Sequence, residues 1–203
     1  MKLFDIFSPK VPIRNTAELS EFIDRNAAFL TQKGIYEYAR ARAGHYAKVL
    51  LSESDFLEAV EVSRWQAYPL GLAMVTETAD VILRPHVGED RRGALDPLIK
   101  LVLAIFDGYQ IPAQLSAERW SELRSELARR LDRIGTHPPK PVKDIPEQLA
   151  RKYFDLMPIH EQLRGRDFPT TRNYLRISLV NIHDELARRI DAPGVAAQLR
   201  AAP

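Results

Sequence analysis

From Asn15 onward, apolar residues recur every three or four positions, the period of a helix with one buried face. Leu19, Phe22, Ile23, Ala27 and Leu30 form the first stripe. Asn15, with Glu18 three residues on, predicts its N-cap, and Gly34 predicts its end. A second stripe over about 35–51 carries Ile35, Tyr38, Ala39, Tyr46, Val49 and Leu50. Ser52 or Ser54 caps a third helix bearing Phe56, Leu57, Val60, Ala67, Gly71, Met74, Val75 and Ile82, with Pro69 predicting a kink or a break. A polar loop follows over 86–93. Asp96 and Pro97 then read as the cap and first residue of a helix whose body, LIKLVLAIF, is apolar on nearly every side. That pattern predicts a buried central helix near 96–107.

Ser116 caps a helix of the opposite kind. Trp120, Leu123, Leu127, Leu131 and Ile134 make one narrow stripe on a charged rod, which predicts a surface helix or a partner helix. THPPKPVK, 136–143, reads as an extended linker rather than a groove-binding proline motif. Asp144, Pro146 and Glu147 restart a helix that Pro158 ends near Met157. A last long helix over about 170–190 turns Leu175, Leu179, Ile182, Leu186 and Ile190 inward, leaving a short alanine-rich tail after Pro193. No stretch alternates for long as a half-buried strand would. The pattern predicts an all-α fold, an irregular multi-helix bundle of about seven to eight helices. Its expected organisation is an N-terminal arm at 1–14, a helical core at 15–135, a Pro-rich linker at 136–144, and C-terminal helices at 145–203 on the same core, one domain in all.

Composition narrows the chemistry. The 203 residues are enough for a sizeable core, and 45% hydrophobic against 28% charged is a globular balance. A net charge of +2 is too slight to argue for nucleic acid, and no short recognition helix follows a tight glycine turn. The absence of cysteine excludes disulfides, cysteine-held metals and a cysteine nucleophile. The segment MKLFDIFSPKVP has no continuous apolar stretch and no small-residue cleavage site, so no secretory leader is expected. Apolar runs fall far short of the roughly 20 residues that span a bilayer, so stable membrane insertion is not expected and a cytoplasmic location is.

No motif names a reaction. Phosphate-loop and nucleophile-elbow patterns are missing. The five histidines are scattered, and none follows an acid by three residues, so neither metal nor cofactor is expected. His183-Asp184 resembles the doublet of helical HD-type phosphohydrolases, but those enzymes need ligands before and well after it, and only Asp191 follows at short range.

One anomaly stands out. Arg42 and Arg64 fall at the centre of apolar stripes, and a guanidinium does not shed its charge on burial. If their helices pack antiparallel, Arg42, His45, Tyr46, Glu61, Arg64 and Tyr68 form one polar site. Either Glu61 or another acid such as Asp80 fills it, the long side chains reach water, or a small anionic ligand does. The sequence thus supports two readings. The first is a non-enzymatic protein that binds a protein partner or itself through Trp120, Leu123, Leu127 and Leu131. The second is a binder of small anions, or a helical enzyme, that uses the arginine site.

Overall fold

The computed structural model describes residues 11–89 and 91–201, apart from the side chains of residues 161 and 163. Most of the expected N-terminal arm therefore lies outside the described residues. The helices are α1 (Thr16–Ala43), α2 (Ala47–Leu50), α3 (Ser54–Leu83), α4 (Arg91–Asp107), α5 (Ala117–Ile134), α6 (Ala150–Asp155), α7 (Glu161–Arg164), α8 (Phe168–Arg189) and α9 (Ala192–Ala201). Short 3₁₀ turns occupy Gly44–Tyr46, Arg84–His86 and Val142–Gln148. The fold is an all-α multi-helix bundle. Extended pairing among the described residues is confined to one parallel bridge between Ile13 and Ile190.

Local signals set several boundaries as expected. Asn15 Oδ1 accepts the Glu18 N–H at 2.9 Å, and Ser116 Oγ accepts the Arg119 N–H at 3.1 Å. Helix α6 stops before Met157 and Pro158. Leu175, Leu179, Ile182 and Leu186 are buried on α8.

Gly34 does not end a helix. Helix α1 runs through it for a further nine residues to Ala43 and stops at Gly44, whose φ of 54° suits glycine. Gly34 serves close packing instead. A Cβ there would collide with the Tyr153 hydroxyl and lie 2.6 Å from the Tyr174 ring. With only hydrogen at that position, both phenols reach the α1 backbone. Tyr153 donates to the carbonyls of Leu30 and Thr31 at 3.3 and 3.2 Å, and Tyr174 to that of Leu30 at 3.0 Å.

The centre of the bundle is α3, not the 96–107 helix. Ten consecutive residues of α3, from Ala67 to Thr76, are buried, so neighbours enclose it on all sides. That enclosure keeps it helical through Pro69, where the sequence predicted a kink or a break. At Gly71 a Cβ would lie 2.9 Å from the Ala27 carbonyl oxygen, so α1 and α3 touch backbone to backbone. Helix α4 starts at Arg91 and carries Pro97 inside, rather than being capped by Asp96. It buries Ala94, Leu95, Leu98, Val102 and Phe106 while Lys100 and Ala104 face solvent, so its remaining apolar residues are only half covered.

The segment after Pro193 is helical as well. Asp191 Oδ1 accepts the Gly194 N–H at 3.2 Å and Pro193 sits in the first turn, a capped start that places Val195, Ala196 and Leu199 in the core. One continuous cluster of buried side chains links α1, α3, α4, α5, α6, α8 and α9.

Candidate functional site

The six residues expected to share a polar site are split. Register explains the split. Tyr68 on α3 bonds Asp24 on α1, and Arg64 lies beside Thr31 and Gln32. The helices are therefore antiparallel, and Arg42 lies ten residues beyond Gln32, about 15 Å further along α1. Because α1 is unbroken at Gly34, Arg42 overshoots Arg64.

Arg64 is half-buried and paired with Glu61 one turn away. Its neighbours Ala28, Thr31, Gln32, Trp65, Tyr68 and Tyr109 enclose a cavity of about 20 Å³, room for a water molecule and no more. Tyr68 is buried, and its hydroxyl donates to Asp24 Oδ1 at 2.6 Å; Tyr109 donates to the same oxygen at 2.8 Å. Burial first, then the bond to a carboxylate, pushes the Tyr68 phenol well above its ordinary pKa and raises that of Tyr109, so both act as donors. This half of the expected site is an internal hub.

Arg42 keeps 40% of its side chain exposed and reaches Asp167 at 3.3 Å. The same carboxylate accepts the Tyr38 hydroxyl at 3.0 Å. Burial and this bond raise the Tyr38 pKa to about 12. The acid that answers Arg42 thus comes from the start of α8, far away in the sequence. His45 and Tyr46 lie beyond the end of α1, exposed.

The α5 stripe is no partner surface. Trp120, Leu123, Leu127 and Leu131 are all buried within the chain, against α3 and α4. Trp120 stacks on Phe106 with ring centres 4.2 Å apart and meets Trp65 edge-on. A narrow stripe is what a rod laid along the groove between two helices requires.

Charged side chains elsewhere serve internal contacts. Arg84 is 8% exposed and donates from Nε to Asp80 Oδ2 at 2.8 Å, and to the carbonyls of His137 and Ile134 at 2.8 and 3.0 Å. Burial still holds the Asp80 carboxyl above the usual carboxylate range, against the opposing pull of Arg84. Glu77 receives Lys140 at 3.0 Å, which ties the proline segment to α3. On α5, burial would raise Glu126, but Lys152, Arg119 and Arg130 outweigh it and hold its carboxyl below the usual range. Among the described residues no group of three histidines or acids is placed to hold a metal, and no helix is long and apolar enough to cross a membrane.

One apolar surface that lies open is the tip of the α1–α3 hairpin. No residue from Gly44 to Leu50 is buried. Tyr46 is 76% exposed, Val49 58% and Leu57 41%. Three large apolar groups within twelve residues are more than the single scattered exposures normal on a surface. Charge divides across the tip: exposed Arg40, His45 and Lys48 precede the turn, and exposed Glu53, Asp55 and Glu58 follow it. No protein-family model matches the chain, and no curated protein or solved structure matches it either.

Proposed function

We propose that this protein is a non-enzymatic association module whose partner is a second copy of itself, joined through the hairpin tip. The exposure of Tyr46, Val49 and Leu57 carries the reading, since their burial is the main free energy the tip has to offer. The division of charge favours a like partner. Under a two-fold axis each patch meets itself, and the basic flank of one copy lies against the acidic flank of the other.

Charge reversal tests this directly. Arg40→Glu with Lys48→Glu makes both flanks acidic, and Glu53→Lys with Glu58→Lys makes both basic. Each variant alone is expected to sediment as a monomer with unchanged helix content. An equimolar mixture is expected to recover the dimer mass, and less of it at high salt. A mixture that stays monomeric while the wild type dimerises places the contact elsewhere.

A further inference from the structure

A second cluster uses neither the tip nor the Asp24 hub. Phe154, at the end of α6, and Phe168, the first residue of α8, meet edge to face at 5.7 Å. Three arginines gather on these two rings. The Arg151 guanidinium sits 3.8 Å from the Phe168 centre and 5.9 Å from that of Phe154. Arg164 lies 5.4 Å from Phe154, and Arg172 5.9 Å from Phe168. Stacking occupies a guanidinium face and leaves its donor edge free to bond elsewhere.

Compensating acid is scarce among the described residues. Among the described residues neither Arg151 nor Arg164 reaches a carboxylate; Arg164 donates instead to the Phe154 carbonyl at 2.6 Å. Arg172 approaches Glu147 at 3.8 Å, and Arg176 shares that acid at 3.6 Å. The neighbouring Asp167 is engaged with Tyr38 and Arg42. The Nε atoms of Arg164 and Arg172 are both buried without a hydrogen-bond partner. Buried charged donors are normally satisfied, so the two guanidiniums beside this ring pair hold donor capacity that the described residues leave unmet. The N-terminus of the 22-residue α8, with no side-chain cap of its own, points its positive end at the same corner.

We infer that Arg151, Arg164 and Arg172 bind a phosphate group of a small phosphorylated molecule. A phosphate dianion has the charge to balance several guanidiniums and enough oxygens to accept from more than one fork. A single carboxylate brings half that charge and one oxygen fewer. Because the residues differ from those of the tip, either proposal can fail alone.

Phosphorus NMR of the full chain tests it with three probes at matched ionic strength: inorganic phosphate, phosphoethanolamine and phenyl phosphate. At least one is expected to broaden saturably. Tighter binding of inorganic phosphate marks the free ion as the ligand, and tighter binding of an ester marks its carrier. Arg151→Gln removes an exposed side chain that pairs with no described acid, so the fold is expected to survive. It should weaken the best probe about tenfold or more, the worth of one charge-assisted hydrogen bond. Failure of all three probes to broaden, or unchanged binding by Arg151→Gln, overturns the assignment.

Discussion

Arg84→Met is expected to lower the free energy of unfolding by about 3–5 kcal/mol, the loss typical of removing one partner from a buried ion pair. Arg84 is almost fully enclosed and supplies donors to Asp80 and to the carbonyls of Ile134 and His137. Methionine fills much of the space but donates nothing, so a carboxylate and two carbonyls lose their partner together. The pH dependence identifies the cause. Asp80 already has a raised folded-state pKa, dominated by burial, and loss of Arg84 raises it further. Between the unfolded and folded values the native state binds the extra proton. Stability attributable to Asp80 therefore falls as pH rises through that window and returns as pH drops. Denaturant titrations should show the Arg84→Met deficit shrinking from neutral to mildly acidic pH. Adding Asp80→Leu should recover most of it at neutral pH. A deficit below about 1 kcal/mol, the range of a solvated pair, would show that the corner is wet.

Gly34→Ala should also destabilise, which reverses the usual sign. In an exposed helix interior alanine is better than glycine by about 1 kcal/mol. Here the added methyl enters the space of the Tyr153 hydroxyl and the Tyr174 ring, and Tyr153 is wholly buried. Overpacking costs about 1–3 kcal/mol, and loss of the hydrogen bonding of the two phenols to the α1 carbonyls adds about 1 kcal/mol per phenol. A net loss of about 2–4 kcal/mol follows once helix propensity is set against it. Tyr153→Phe removes the atom that the methyl meets most closely, so Gly34→Ala should cost less in that background. Equal costs in both backgrounds would mean that Gly34 is not held glycine by Tyr153.

What was legible in the sequence divides by range. The caps at Asn15 and Ser116 and the inward face of α8 depend on residues within a few turns, and local spacing gives them directly. A glycine after an apolar stripe signals a helix end, whereas Gly34 is held inside α1 by neighbours distant in sequence, Tyr153 and Tyr174. The same continuity of α1 separates the residues of the expected site. A helix starting at Ile35 would bring Arg42 toward Arg64, but a continuous α1 carries it past, to Asp167 on α8.

The α5 stripe shows a different limit. Periodicity says that Trp120, Leu123, Leu127 and Leu131 are covered, and says nothing of what covers them. The start of α9 was readable, since Asp191 followed by Pro193 is a capping pattern. The arginines around Phe154 and Phe168 left a fainter trace. Residues 151–172 hold Arg151, Lys152, Arg164, Arg166 and Arg172 among aromatic residues, but only the fold turns three of them onto two rings.

The central claim, that the hairpin tip joins two copies of the chain, is tested most directly by sedimentation equilibrium across a wide concentration range. The wild type is expected to pass from monomer to twice the monomer mass as concentration rises. Val49→Asp with Leu57→Asp changes only exposed positions and should alter stability by no more than about 0.5 kcal/mol per site. That variant should stay monomeric throughout, with unchanged helix content. A wild type that is monomeric at every concentration, or a variant that dimerises as the wild type does, contradicts the claim.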